Sequence, residues 1–161
     1  MLTVEVAGAD AVAAQLAALP ASVRQALRRR AAALSAELVA RVKQKLSGEV
    51  LAARSGRLRD SVHQEAGEGG SGIFTRIAVG VPYAAIHEFG GTIPAHTIAA
   101  RKGEALHWVA GGKDFFAPRV AHPGATIPER SYLRAALAEM EDEIVSGLRA
   151  AVAEGIAAVR D

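Results

Sequence analysis

Apolar and polar positions follow a helical period near both ends of the chain. Between residues 21 and 46 the apolar residues step by fours and one seven, so they form one stripe: Val23, Leu27, Leu34, Leu38, Val42 and Leu46. The stripe predicts a long helix over 21–46 that ends at Ser47-Gly48. Asp10 and Pro20 frame a shorter predicted helix over 10–19. A second stripe predicts a C-terminal helix over 129–160: Leu133, Leu137, Met140, Ile144, Leu148, Val152, Ile156 and Val159.

The middle of the chain has a strand-like pattern instead. Residues 62–66 and 73–81 flank GEGGSG, and residues 106–110 and 115–120 flank GGKD, so two hairpins are predicted. PYAAIHEFGG predicts one or two helical turns between them, and residues 92–103, which lack a clear period, are predicted to be an exposed loop. The expected fold is α+β: a small antiparallel sheet of two hairpins within 62–126, packed against the long N-terminal and C-terminal helices.

Composition narrows the class of protein. The 161 residues suit a single domain over 1–161, with half of them apolar and many of those alanine. The absence of cysteine excludes disulfides and thiolate metal sites. MLTVEVAGAD lacks the features of a signal peptide, and no stretch approaches the ~18 apolar residues of a membrane span. We therefore expect a soluble protein of a reducing cytoplasm, or one released from it, without membrane association.

The net charge of +2 hides an asymmetry along the chain. Residues 21–61 contain ten Lys or Arg and three acids, a balance of +7, whereas residues 129–161 contain seven acids and four arginines, a balance of −3. A nucleic-acid-binding protein has such a basic segment. Two helices or two subunits that meet with complementary charge have both segments, and the acidic block favours this second interpretation.

IHEFGG, residues 86–91, is the strongest candidate for chemistry. Half of a zinc-protease motif looks similar, but that motif needs a second histidine four residues after His87, where this chain has Gly91. The other histidines lack ligand spacing: His63, His96, His107 and His122. No serine lies in a G-x-S-x-G elbow and no phosphate-binding loop is present. We therefore expect no catalytic residue, metal or cofactor, and interpret His87 or Glu88 as satisfying backbone groups near a helix end.

Three short patterns carry a family resemblance. They are ARSGRLRDSV at 53–62, PYAAIHEFGGTI at 82–93 and IPERSYLRAAL at 127–137. In this order and spacing, over about residues 20–145, the chain resembles the tail-completion, or virion-morphogenesis, proteins of long-tailed bacteriophages and prophages. It departs from their pattern at Ser131, where proline is usual before the aromatic residue, and in a longer segment over 92–126.

The resemblance implies a non-enzymatic structural protein of the virion neck, assembled in the host cytoplasm. Such a protein forms a homo-oligomeric ring, expected to be sixfold, at the head-proximal end of the tail and joins the tail to the DNA-filled head. Its partners would be neighbouring neck proteins and the tail tube, with contact to genomic DNA in the channel as a further option. The segment 92–126 is the candidate arm that reaches a neighbouring ring.

A ring requires unlike patches on the two sides of each subunit, and the charged segments are candidates for these patches. Reversing Arg28, Arg29 and Arg30 to glutamate is expected to abolish ring formation or head joining. The candidate residues for the subunit interface or the DNA channel are Arg28, Arg29, Arg30, Arg41, Lys43, Arg57, Arg59, Glu139, Glu141, Asp142 and Glu143.

The resemblance also gives the three patterns structural roles. Tyr83, Ile86 and Phe89 are expected to pack under the sheet, and Ser55 to cap the turn 57–61. Pro128 sets an extended approach to the last helix. The residues expected to form these structural turns are Ser55, Gly56, Leu58, Tyr83, His87, Glu88, Phe89, Gly90, Gly91, Pro128, Tyr132 and Leu133.

Three rival functions stay open. A tail-terminator ring that caps the tail tube belongs to the same particle, and gene order would separate the two. A cytoplasmic DNA-binding protein would account for the basic helix, and duplex affinity with a steep salt dependence would support it. A metal hydrolase is the third, and metal analysis would decide it.

Overall fold

The structure, a computed structural model, describes residues 2–3, 21–52, 54–69, 72–101 and 103–158. The helix predicted over 10–19 lies outside the described residues. The α+β class is confirmed, with a long N-terminal helix, a long C-terminal helix and small antiparallel sheets. In chain order the elements are β1 (Leu2–Thr3), α1 (Ala21–Gln44), α2 (Arg57–Asp60), β2 (Val62–Gly69), β3 (Gly72–Val79), α3 (Ala84–Phe89), β4 (Gly91–Ile93), β5 (His96–Ala99), β6 (Leu106–Ala110), β7 (Lys113–Ala117), β8 (Arg119–His122), β9 (Ala125–Ile127), α4 (Leu133–Glu139) and α5 (Glu141–Ala157).

Helix α1 forms the centre of the molecule. All six residues of its predicted stripe are buried, from Val23 to Leu46. After Gln44 the helix widens into a π-type turn over Lys45–Glu49, where Ser47 and Gly48 leave helical angles, as the predicted stop at Ser47-Gly48 requires. Burial of this stripe gives the chain its main hydrophobic core.

Strands β2 and β3 form the first predicted hairpin, and β1 adds to its edge in the order β1-β3-β2. Val62 pairs with Val79, and the buried residues of this sheet meet the C-terminal half of α1 around Leu38 and Val42. The second hairpin is not part of this sheet, so the expectation of one sheet from two hairpins was wrong in this detail.

The described residues of the segment 91–127 form a separate two-stranded antiparallel ribbon, called the arm below. Its pairing keeps one register from Gly91 opposite Ile127 to Ala99 opposite Arg119. The described residues between Ala99 and Leu106 then form a bulge opposite Pro118, and β6 pairs with β7 up to the turn at 111–112. The prediction of a loop over 92–103 was therefore wrong in large part. This segment contains β4 and β5, which pair with β9 and β8 twenty or more residues further along the chain. The strand predicted over 115–120 is divided at Pro118, which has no N–H to donate.

The C-terminal helix begins at Leu133 rather than at residue 129, and it is divided at Met140, whose φ and ψ are −101° and 1°. Small residues, rather than the large apolar ones, form the face of α5 that is buried against α1: Gly147, Ala151 and Gly155. A Cβ at Gly155 would overlap the backbone of Val23, so the two helices approach closely there. Leu137, Ile144 and Leu148 are consequently only half-buried.

Candidate functional site

Glu88 anchors the start of α4. Its side chain is fully buried, at 0% exposure. The carboxylate accepts hydrogen bonds from the backbone N–H groups of Tyr132 (2.8 Å), Leu133 (2.9 Å) and Arg134 (3.0 Å), and from the Ser131 hydroxyl (2.8 Å). The Arg134 Nε also donates to it, at 3.1 Å. Glu88 therefore satisfies backbone donors that the first turn of a helix leaves unpaired, as the sequence interpretation of this residue proposed.

The pKa of Glu88 reflects two opposed effects. Burial by itself raises the pKa, but the hydrogen bonds from Leu133, Arg134, Tyr132 and Ser131 together outweigh it and hold the pKa below its ordinary value. The carboxylate is thus ionised, and both of its oxygens accept hydrogen bonds. An acid–base catalyst near neutral pH would need a raised pKa and a free oxygen, so this arrangement favours a structural role.

The expectation that Tyr83, Ile86 and Phe89 pack under the sheet was wrong. Tyr83 and Phe89 are 38% and 49% exposed, and Ile86 is half-buried. Instead Ala84 and Glu88, four residues apart on one side of α3, face the core. The Phe89 ring lies under the Arg134 guanidinium at 4.6 Å.

The turn after α3 depends on Gly90. Its φ is +69°, and a Cβ there would lie 2.7 Å from the backbone nitrogen of Glu129. The chain then passes through Gly91 into the arm and returns past Pro128 to Tyr132. Tyr132 is fully buried and donates its hydroxyl to the Ala84 carbonyl at 3.2 Å, and burial together with the negative charge of Glu88 raises its pKa. Tyr132 and the buried Leu133 therefore fasten α4 to the core.

The first of the three patterns, at residues 53–62, contains the short helix α2 and the start of β2. The expectation that Ser55 caps the turn 57–61 was wrong. The residue at the N-cap of α2 is Gly56, with φ +72°, and no side chain caps this helix. Leu58 packs partly buried against the core, and Arg59 pairs with Asp60 at 3.0 Å. Arg57 is exposed.

Histidines do not gather into a metal site within the described residues, where no three potential ligands lie together. Buried Nδ1 of His87 has no hydrogen-bond partner, and its ring meets Tyr83 edge-on at 6.1 Å. The arm does bring His96 and His122 together as a stacked pair, 4.9 Å apart, which the spacing along the sequence did not indicate.

The basic and acidic segments meet within one chain. Arg29 pairs with Glu154, Arg30 lies 4.0 Å from Glu143 and Arg41 lies 3.5 Å from Glu139. The buried Lys45 amine binds Glu139 at 2.6 Å and Glu49 at 2.8 Å, and these two hydrogen bonds raise its pKa. Ion pairs thus connect α1 and the turn that follows it to α4 and α5 of the same chain.

The remaining charged candidates lie on the surface. Arg28, Glu141 and Asp142 are exposed and Lys43 is half-buried. Glu141, Asp142 and Glu143 occupy the first turn of α5, where negative charge is favourable at a helix N-terminus. Their part in contacts between subunits stays a prediction.

The arm is exposed to solvent along its described length. No described residue between 91 and 127 is buried. Near its end Trp108 stacks on Phe115 at 5.6 Å, and His107 stacks on Phe116 at 4.7 Å. Val109 and Phe116 are 63% and 69% exposed. A two-stranded ribbon alone is marginally stable in water and apolar side chains gathered at its end mark an interaction surface, so the arm is the candidate binding element.

A second candidate surface is an apolar groove of about 200 Å³ between α1, β3 and α4–α5, here called the groove. It exists because the small-residue face of α5 is turned toward α1, which leaves the larger residues at the groove wall. Its rim includes Arg76 and Arg134. The other lining residues are Ala31, Leu34, Ser35, Leu38, Thr75, Ile77, Leu133, Leu137, Ile144 and Leu148.

Comparison with known proteins gives no assignment: no family model, no curated protein and no solved structure matches the chain. Of the helices that the structure describes, none is long and apolar enough to cross a membrane.

Proposed function

We propose that the protein is a structural subunit of a bacteriophage neck, which forms a ring at the head-proximal end of the tail and joins the tail to the DNA-filled head. The observation that carries this proposal is the arm: a ribbon that has no buried residue in its described part and that ends in exposed aromatic side chains. Such an element gains its stability and its purpose from a partner. A subunit of a ring between two assemblies needs an exposed element that binds a neighbouring protein.

The three sequence patterns support the same proposal because they form connected structure. Glu88 in the second pattern holds the helix start in the third through Ser131, Tyr132 and Leu133. Val62, which ends the first pattern, is buried in the same core as Tyr132. The resemblance therefore rests on side chains that depend on one another, rather than on three unrelated matches.

The charge distribution favours assembly over DNA binding. Arg29, Arg30, Arg41 and Lys45 have carboxylate partners within their own chain. Cations already paired in this way release fewer counterions on binding a phosphate backbone, which weakens duplex affinity. A cytoplasmic DNA-binding protein is therefore the less supported alternative.

Removal of the arm tests the proposal. Deleting residues 96–122 joins Ala95 to Pro123 and leaves a four-residue turn of Pro94, Ala95, Pro123 and Gly124 between the paired Ile93 and Ala125. Because the described part of the deleted segment contains no buried residue, the variant should fold with a nearly unchanged melting temperature. In the phage that encodes the chain it should leave filled heads and finished tails unjoined in electron micrographs.

The matched control is Glu104→Gln, an exposed change in the bulge of the intact arm, which should give normal particles. Normal infectious particles from the deletion variant would contradict the proposal. Tails of uncontrolled length would assign the protein to the tail-terminator ring instead.

A further inference from the structure

We propose that the end of the arm docks into the groove of a second copy of this chain. The inference rests on the proposed function, since it names the partner of the arm within the ring. It concerns two surfaces of the molecule: the face of β6–β7 that carries Phe116, and the groove between α1, β3 and α4–α5.

The register of β6 and β7 defines the docking face. His107 lies opposite Phe116 and Val109 opposite Asp114, and alternate residues of a strand share a face. These four side chains therefore lie on one side of the ribbon. Val109 and Phe116 are its most exposed apolar residues, and Asp114 adds one negative charge beside His107, whose Nε2 lies 2.5 Å away. The face thus combines two exposed apolar side chains with one carboxylate that is paired with His107.

The groove has the complementary shape and charge. Its volume of about 200 Å³ is lined mainly by aliphatic side chains. An aliphatic cavity of about 150 Å³ accommodates a benzene molecule, so one phenyl ring fits. At the rim, Arg76 has Glu65 as an ion-pair partner at 3.7 Å, and its side chain is 37% exposed. An incoming Asp114 would share this cation with Glu65 while Phe116 enters the apolar floor.

The end of the arm lies outside the groove of its own chain, because no described residue of the arm lines that groove. Its base is held beside α4, where Arg130 donates its backbone N–H to the His87 carbonyl at 2.9 Å, and Leu133 and Arg134 of the groove follow directly. The paired residues from Gly91 to Ala99 and from Leu106 to Ala110 give the arm a contour length of about 45 Å at ~3.3 Å per residue, and Phe116 at its end is 69% exposed. The occupant is therefore another copy.

Each copy then gives one arm and receives one. The two surfaces differ, so the contact is heterologous, and repeated contacts of this type close into a ring when the rotation allows it. Phe116 would be the central anchor, since a buried aromatic side chain at the middle of a contact contributes most of its binding energy.

The cysteine-free chain permits a direct test by site-specific cross-linking. Full-length Phe116→Cys and Ile144→Cys proteins are mixed and treated with a short bifunctional thiol reagent. Covalent heterodimers should form at several times the level seen when Phe116→Cys is mixed with Ala153→Cys, an exposed position of α5 outside the groove. Equal yields in the two mixtures, or no dimers up to the highest soluble concentration, would overturn the inference.

Sedimentation measurements of self-association provide the second part of the test. Phe116→Ala should weaken self-association about thirtyfold, the loss typical of a buried aromatic anchor, whereas Val145→Ala, an exposed apolar change beside the groove, should leave it unchanged. Asp114→Arg should weaken association, and Arg76→Asp in the same chain should restore it. If circular dichroism shows that both variants are folded and the second change still does not restore association, the proposed charge contact is contradicted.

The experiments distinguish a failure of the docking between copies from a failure of the proposed function in the phage neck. Particles that assemble normally while the arm tip cross-links to a different neck protein would overturn the docking between copies and leave the neck function standing. Tip-to-groove dimers in a protein whose arm deletion still yields infectious phage would support the docking and overturn the neck function.

Discussion

Glu88 is the residue on which most of the local structure around the arm depends. Its buried carboxylate joins α3 to the first turn of α4, across more than forty positions of sequence. The arm leaves and re-enters the body between these two helices. The carboxylate therefore sets the geometry of the arm's base as well as the start of the last helix.

Replacing Glu88 with glutamine should lower the free energy of unfolding by about 2–4 kcal/mol. The change removes a buried charge that hydrogen-bonds several donors and places an NH₂ group against backbone N–H groups. Urea unfolding measures the loss. Glu129→Gln is the matched control, because Glu129 pairs with the same Arg134 at the surface and exposed pairs contribute little. Equal effects of the two changes would contradict the anchoring role.

Glu88 also makes the stability of the fold depend on pH, in a direction that follows from its lowered pKa. The pKa of Glu88 is lowered in the folded protein relative to its ordinary value of 4.5, so its ionised form stabilises the fold above that pH. The stability difference between the wild type and Glu88→Gln should be constant from about pH 8 to pH 5. It should shrink as the pH falls below 4.5 toward the folded pKa. A difference that stays constant down to pH 3 would show that charge is not its source.

At the scale of elements, the contact between α1 and α5 is built on small residues. Gly155 lies against the backbone of Val23, and the Ser22 hydroxyl donates to the Gly155 carbonyl at 2.8 Å. Gly147 lies against the guanidinium of Arg30, where an added Cβ would be 2.6 Å from Nε. One glycine thus faces rigid backbone and the other faces the movable end of a side chain.

Alanine substitutions should separate these two cases. Gly155→Ala should destabilise the protein by at least about 1 kcal/mol, because overpacking against backbone outweighs the better helix propensity of alanine. Gly147→Ala should be neutral or stabilising by up to about 1 kcal/mol, because the Arg30 side chain can move aside. Thermal unfolding of both variants checks the order, and a reversed order would contradict the close approach at Gly155.

At the scale of the whole molecule, the ion pairs between α1 and the C-terminal helices change how a charge-reversal experiment is interpreted. Reversing Arg28, Arg29 and Arg30 together would place negative charge beside Glu143 and Glu154 of the same subunit. Loss of assembly in that triple variant could then arise from a weakened subunit. The exchange Arg29→Glu with Glu154→Arg keeps the internal pair while reversing both charges toward any neighbour.

We expect the exchanged variant to match the wild type in thermal stability, since the pair is exposed and contributes at most about 1 kcal/mol in either orientation. Self-association of this variant should fall if Arg29 also contacts another subunit. Unchanged association in the exchanged variant would refute charge pairing between subunits at this position. Sedimentation at low and moderate salt measures the effect.

Local pattern alone was sufficient for several features. The stripe on α1, its stop at Ser47-Gly48, the hairpin around GEGGSG and the hairpin around GGKD each depend on residues close in sequence. The residue types also indicated that His87 or Glu88 satisfies backbone groups near a helix end; Glu88 does so, whereas the buried Nδ1 of His87 has no hydrogen-bond partner among the described residues. The positions of Tyr83 and Phe89 were not, because a helix of six residues has no period long enough to show which side faces inward.

The amino-acid sequence by itself thus determined the α+β class and the two long helices, whereas its resemblance to phage neck proteins stays a prediction. Tertiary structure alone decided three other features: the pairing of residues 92–99 with 119–126, the burial of glycines rather than leucines on α5, and the partners of the Glu88 carboxylate. Each of these depends on groups far apart in the chain. Their free energy comes from contacts that form only when the core brings those groups together, so no local periodicity records them.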